Sequence, residues 1–267
     1  MSEPPTATSN AARQRAHWDR VLSADNIAER PLTADALRRE LAFVNTPDFR
    51  ALRRAAAARR DPLILDLGGG LGTHAVALAA AGHRVIVADV SGARLRALKR
   101  VIPEMKLAGK VLLVQTAAEQ LALRTNSIDV AWTKAVLIHC DLDETMAEIA
   151  RCLGVDGEAV LSEPTDANPL VNLYRRRAAP KEWQSLATYF SPEREARVLS
   201  ALRGSKSARF HVVSFLAYFW QFAVRAVWLF RPSLAVLGAL DAALMRVWPA
   251  YRRRAWIVVM TGRGRST

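Results

Sequence analysis

The densest chemistry in the sequence is the run "LILDLGGGLGTHAVALAAAGHRVIVADVS", residues 63–91. Gly68, Gly70 and Gly72 follow a strand-like segment and open a helix-like one. Glycine lets the chain turn sharply and lets a ligand approach the backbone with no Cβ in the way. Asp89 ends the next strand-like segment, roughly 20 residues on, where a carboxylate can accept both hydroxyls of a ribose. The loop therefore predicts a ligand that carries a ribose and a base. A dinucleotide fingerprint would put its third glycine one place later, where this chain has Thr73. Asp66, at the strand tip, would repel a pyrophosphate but suits a ligand with a cationic amino-acid end. S-adenosyl-L-methionine (SAM) has that end together with an adenosine.

The elements that must hold this loop can be read on either side of it. Residues 1–10 read as a tail outside the fold. From Ala11 to Arg60 the pattern is helical, with Thr33 as an N-cap of "LTADALRRELAFV" and Pro47 at the start of a third helix. Residues 62–163 then alternate. "PLILDL", "HRVIVADV", "KVLLVQT", "SIDVAWT" and "GEAVLSEP" read as strands. "THAVALAAAG", stopped by Gly82, "ARLRALKRV", and "DETMAEIARCLG", ending at Gly154, read as helices. Continuous apolar strands separated by helices predict a parallel sheet covered on both faces. Three regions follow: 1–60, a tail and helical lid; 61–164, a ligand-binding core; and 165–267, a substrate- or membrane-facing region.

"ILDLGGGLG", "VIVADVS", "TAAEQLAL", "NSIDVAWTKAVLIH" and "EIARCLGVDGEAVLSEP", in that order over about residues 60–164, resemble a class I SAM-dependent methyltransferase. The nearest resemblance is to the group that includes ubiquinone- and menaquinone-biosynthesis methyltransferases. It implies an α/β, Rossmann-like, doubly wound, mostly parallel seven-stranded sheet, with SAM as cofactor. By position, Gly68 and Gly70 would pass under the methionine part, with Asp66 near its ammonium. Asp89 would bind the ribose and Val90 would lie against the adenine. Ala117 stands where relatives usually carry an Asp that touches the adenine amino group, leaving the backbone amides of Ala118 and Glu119 to serve. Thr133 and Lys134 would lie near the methyl group. The resemblance also places the helix bearing His17 and Trp18 over the cofactor, and the Asn168–Pro169 turn and Tyr174 along the acceptor site.

Methyl transfer from a sulfonium is an in-line displacement, so the protein supplies alignment and exclusion of water. A base is needed only if the acceptor loses a proton. His139, just after the fourth strand on the rim where open α/β sheets bind ligands, is the candidate base; packing or capping is its other reading. His211, within a predicted strand, reads as structural. The chain shows no metal-ligand pattern, and its two cysteines, Cys140 and Cys152, form no CxxC, which points to a reducing, cytoplasmic setting. The N-terminus lacks the apolar run of a signal peptide.

After Pro164 aromatics crowd in, Trp183, Trp220, Trp228, Trp248 and Trp256 among them. "ARFHVVSF" (208–215) and "RRRAWIVVMTGRG" read as the last two strands, antiparallel. Between them, at about 216–250, an apolar insert reads as two helices split at Arg231–Pro232. Its Trp, Tyr and Arg suit a membrane interface, and "YRRR" (174–177) and "YRRRAW" (251–256) suit anionic lipids. A helical cap or a homodimer interface over an apolar pocket is the other reading. The net charge of +13 favours acidic partners. The lack of an Asp/Asn-Pro-Pro-Tyr/Phe run after the fourth strand argues against methylation of nucleic-acid bases. The sequence thus predicts methyl transfer, at oxygen, to a hydrophobic or lipid-linked acceptor on the inner face of the cell membrane. Its alternatives are a soluble metabolite methyltransferase and a non-catalytic SAM-binding protein.

Overall fold

The computed structural model describes residues 7–24, 32–177 and 186–264. Residues 1–6 of the predicted tail, residues 25–31 of the predicted helical lid, and Trp183 lie outside the described residues, whereas residues 7–10, expected in the tail, belong to the first helix (Ala7–Ala24). The sheet has seven strands in the order β3-β2-β1-β4-β5-β7-β6. They are β1 (Leu63–Leu67), β2 (Arg84–Asp89), β3 (Val111–Gln115), β4 (Ile128–Lys134), β5 (Leu153–Pro164), β6 (Arg203–Phe210) and β7 (Ile257–Arg263). The first five run parallel, and β7 lies antiparallel between β5 and β6. In β1 and β2 every residue after the first is buried, as a strand covered on both faces requires.

The chain reverses from β1-β2-β3 to β4-β5 between β1 and β4, and the carboxyl ends of these two strands frame the crevice. Around the sheet lie α1 (Ala7–Ala24), α2 (Ala34–Leu41), α3 (Pro47–Ala57), α4 (Thr73–Ala80), α5 (Gly92–Val101) and α6 (Leu142–Cys152). Thr33 caps α2 by accepting from the Ala36 amide at 3.1 Å. Pro47 opens α3, where its missing N–H costs nothing. The chain turns out of α4 through Gly82 at φ +104°. Helix α6 stops at Cys152, two residues before Gly154, because β5 already starts at Leu153.

The C-terminal region departs from expectation in three places. The sixth strand is 203–210 rather than 208–215, because His211 turns into the left-handed region (φ 66°) and ends it. Asn168–Pro169 is not a free turn. It opens α7 (Pro169–Arg177), with Asn168 accepting from the Leu170 and Val171 amides, both at 3.1 Å. After α8 (Pro192–Ala201) and β6, the insert does not break at Arg231–Pro232. A short helical stretch, Ser214–Val224, ends at Arg225 (φ 58°), and α9 (Val227–Val247) runs on through Pro232. Pro232, the sixth residue of α9, has no N–H for the Trp228 carbonyl, and the anchoring and packing of the rest of the helix offset that loss.

Two carboxylates fasten this insert. Asp241, buried in α9, accepts from the amides of Val212, Val213 and Ser214 at 2.9–3.0 Å and from the Ser214 hydroxyl at 2.7 Å. Glu40 pairs with Arg225 where the chain turns into α9. Phe230 and Leu234 then pack with Ala217 and with Phe43, which follows α2.

Candidate active site

Gly68, Gly70 and Gly72 all adopt positive φ, at 66°, 55° and 76°. Side chains press on two of them. A Cβ at Gly68 would lie 2.4 Å from Val136 Cγ2, and one at Gly72 2.4 Å from Leu98 Cδ2. Asp89 holds the loop from the end of β2, accepting from the Gly70 amide at 2.9 Å and the Ser91 amide at 2.8 Å. Each of its oxygens keeps a lone pair. Burial raises the Asp89 carboxyl above the usual range, partly offset by those amides and by Arg94.

One cavity of about 1030 Å³ begins at this loop. It equals or exceeds the roughly 300–1,000 Å³ of an ordinary ligand pocket, so it has room for a cofactor and an acceptor together. At the loop end its wall includes Gly68, Asp89, Val90, Ala118 and Glu119. His17, Trp18, Lys134, His139 and Tyr174 also reach it. Asp66, Gly70, Thr133 and Asn168 do not. Asp66 lies beneath the loop, near Gly69, its Oδ2 buried without a hydrogen-bond partner among the described residues. Burial pushes its carboxyl up to about 7, and the nearby Asp89 charge adds to this. An orphaned carboxylate oxygen under a glycine cradle fits a ligand with a cationic end. Asn168 is removed from the wall by its own bonds. Its amide donates to the carbonyls of Val212 at 3.0 Å and Arg254 at 3.1 Å, tying α7 to the insert.

Helix α1 closes the loop end. Asp19 accepts from the Ser91 hydroxyl and the Ala93 amide at the start of α5, and Asn10 donates to the His139 carbonyl at 3.0 Å. Trp18 meets the His139 ring edge-on with centroids 5.3 Å apart, and the Arg94 guanidinium sits 4.4 Å from the Trp18 ring. Arg94 was not singled out in the sequence; its place in the first turn of α5, just after Asp89, was the available signal. His139 Nδ1 lies 2.9 Å from the Leu186 carbonyl, so Nδ1 carries the proton and the neutral ring keeps its lone pair on Nε2. Burial lowers the His139 pKa, which keeps that lone pair available at neutral pH.

A buried acid positions the loop that bears His139. Glu163, at the end of β5, accepts from the Thr133 hydroxyl at 2.9 Å and the Val136 amide at 3.3 Å. Burial pushes its carboxyl from 4.5 to about 7, although these donors and the Leu137 and Ile138 amides favour the charged form. A carboxyl raised in the folded state holds a proton that the unfolded chain releases. Its stabilisation is complete below about pH 4.5 and is lost as pH climbs to about 7. For this one group the loss is on the order of 3 kcal/mol. Asp66 acts in the same direction. Glu163→Gln is therefore expected to make the change in unfolding free energy from pH 5 to pH 8 more positive than in the wild type by about 3 kcal/mol, read from urea denaturation at the two pH values. An unchanged pH slope would mean that Glu163 is ionised in the folded chain.

At its far end the cavity runs under the insert, against Phe215, Tyr218, Phe219, Phe222 and Trp256. Lys134 reaches this end with its ammonium 2.9 Å from Asp48 Oδ2. Despite burial, the Lys134 charge and the Thr46 hydroxyl hold the Asp48 carboxyl well below the carboxylate range. Asp48, on α3, carried no signal in the sequence, because its partner is far away along the chain. His211 is structural, bonded to the Ser214 hydroxyl at 2.9 Å and buried, with its pKa lowered to about 4 by that burial.

Residues 65–161 match the family model of a methyltransferase domain. No curated protein matches the sequence. Among solved structures, the geranyl diphosphate C-methyltransferase of Streptomyces coelicolor A3(2), held with Mg2+, geranyl-S-thiolodiphosphate and S-adenosyl-L-homocysteine, is 16% identical; the match covers 76% of this chain and 70% of that one at a TM-score of 0.52. Protein BH2331 of Bacillus halodurans C-125 is 15% identical over 83% of this chain and 100% of its own, at a TM-score of 0.54. YcgJ of Bacillus subtilis is 17% identical over 82% and 99%, also at 0.54. At such identities the likeness is one of fold: a seven-stranded, mostly parallel, Rossmann-like sheet with flanking helices.

Proposed function

From a methyltransferase domain matched over residues 65–161 and a single cavity that joins the glycine loop to the insert, we propose that this chain methylates an apolar, lipid-linked acceptor, at oxygen, at a membrane surface. SAM is the cofactor, and it supplies the electrophilic methyl group. The chain supplies the rest. Asp89 would hold the ribose, the glycines admit the ligand's backbone contacts, and α1 excludes water from above. Val90 would pack on the adenine, with the Ala118 and Glu119 amides beside it. His139 Nε2 is the group that can take a hydroxyl proton from the acceptor.

The observation that carries the acceptor class is the far wall. Phe219 and Phe222 line the cavity and are also 57% and 69% exposed, so the mouth of the cavity is itself apolar. On α9, Phe230, Leu234 and Asp241 face inward, which leaves Trp228, Val236 and Val247 outside. A patch of this kind, flanked by exposed Arg246, Arg252 and Arg253, suits an anionic lipid surface, to which each arginine adds on the order of 1 kcal/mol. Helix α9 is the one described helix long and apolar enough by length and composition to cross a membrane; with one side packed on the protein, it suits lying along the surface. The setting would be the cytoplasmic face of the membrane.

The packing of the insert on Phe43 and Glu40 favours a second reading: a lid, or a dimer interface, over a soluble metabolite. Methyl-labelled SAM incubated with the protein and, separately, with a lipid extract and an aqueous metabolite extract tells the two apart. Label is expected in the lipid extract, and the protein is expected to float with vesicles containing phosphatidylglycerol. Label confined to the aqueous extract, with no flotation, would establish the lid reading. No label anywhere, from a protein that binds SAM, would support a non-catalytic role.

A further inference from the structure

Two helices rim the outer end of the cavity. Tyr174 of α7 and Leu216, Phe219 and Phe222 of the Ser214–Val224 helix all line it, and each is at least half exposed. The apolar surface continues away from this rim on both sides, to Leu170 and Leu173 on α7 and to Val224 and Trp228 at the entry to α9. Exposed apolar side chains are ordinary when scattered; gathered around a cavity mouth they mark a contact surface. Helix α7 stays beside the insert because Asn168, its cap, donates to the carbonyls of Val212 and Arg254, near the two ends of the insert. The charge on this surface points to its partner. Helix α7 and residues 212–256 together carry nine arginines and one carboxylate, Asp241, which is buried. Arg225 pairs with Glu40 and Arg175 packs on Tyr189. The other seven are exposed, among them Arg176 and Arg177 at the end of α7 and Arg252, Arg253 and Arg254 beyond α9. A second copy of the chain laid on this surface by a two-fold axis would bring like charges together. An anionic bilayer takes the aromatic groups and the arginines at once.

We propose that α7 and the Ser214–Val224 helix rest, together with α9, on an anionic bilayer, so that the cavity mouth faces the acyl chains and the acceptor enters without crossing water. This rests on the membrane reading given above and adds to it the orientation of the site. Leaving a bilayer for water costs an apolar molecule about fourfold in equilibrium constant for each CH2. A mouth pressed to the bilayer removes that cost, whereas a mouth turned to water would impose it on every turnover.

Fluorophores on three introduced thiols test the orientation: Leu173→Cys on α7, Val224→Cys at the end of the short helix, and Val236→Cys on α9. All three positions are exposed and none lines the cavity. Burial raises the pKa of both native thiols, Cys140 and Cys152, so an exposed thiol is labelled first. Each labelled protein is mixed with vesicles of equal parts phosphatidylglycerol and phosphatidylcholine that carry nitroxides on their acyl chains. Quenching is expected at all three positions. Arg176→Glu with Arg177→Glu is expected to weaken vesicle binding by about thirtyfold or more, since each arginine contributes about fivefold near such a surface, and to leave the affinity for S-adenosyl-L-homocysteine unchanged. Quenching at position 236 alone would turn the mouth toward water and overturn the proposal while leaving the membrane reading intact. Full vesicle binding by the double variant would also overturn the proposal. No quenching at any position would overturn both. The titration with S-adenosyl-L-homocysteine reports on the methyltransferase reading independently.

Discussion

Asp89→Ala is expected to weaken SAM binding by about a hundredfold to ten-thousandfold. Asp89 sits where one carboxylate does two jobs. It receives the Gly70 and Ser91 amides, which sets the shape of the loop, and it lines the cavity, where under the proposed function it would accept from the ribose. Alanine removes the ribose acceptor and leaves both amides without their bond. Hydrogen bonds to a charged group contribute about 1.5–3 kcal/mol each, and roughly two such losses give the expected range. Asp89→Asn separates the two roles. Its carbonyl keeps one amide, while its NH2 group repels the other and cannot accept from a hydroxyl. It should therefore bind only marginally better than alanine. Calorimetry with S-adenosyl-L-homocysteine measures both. A variant that binds as wild type would place the nucleoside elsewhere.

Gly68→Ala is expected to destabilise the fold by about 2–5 kcal/mol, read from urea denaturation. About 1–2 kcal/mol comes from forcing a side chain into the left-handed region at φ 66°. About 1–3 kcal/mol comes from the clash with Val136, whose Cγ2 would sit 2.4 Å from the new methyl group. Only the second cost is a matter of space. Adding Val136→Ala should restore the steric share and leave the backbone share, a coupling of about 1–3 kcal/mol in a double-mutant cycle. Additivity would show that the two loops do not touch. Because Val136 lies in the segment that leads to His139, the contact also links the cofactor loop to the candidate base.

What the sequence made legible is local. The five apolar strands, the glycine turn, Thr33 as a cap and Pro47 at a helix start each depend on neighbours within a few residues, and each stands in the structure. The misreadings are long-range. Pro232 looked like a helix stop, yet Asp241 anchors α9 to residues 212–214 and packing of Phe230 on Phe43 holds its first turn, so one lost hydrogen bond is tolerated. A lone acid in "VLGALDAALM" was a signal for such an anchor. At the site, Asp89, Val90, His17, Trp18 and His139 were legible as neighbours of the crevice. The Asp48–Lys134 pair and the cradle of Thr133 and Val136 around Glu163 were not, since partners 27 to 86 residues apart leave no periodicity. Asn168 was legible as special but not as a helix cap, because the helix it opens ends in arginines that read equally well as surface.

Everything rests on the glycine pocket holding an adenosyl amino acid rather than a dinucleotide. Calorimetric titration of the wild-type chain with SAM and, in parallel, with NAD decides this. One SAM bound per chain at micromolar affinity, with no heat from NAD, is the expected result. Heat from NAD alone, or from neither ligand, would contradict it.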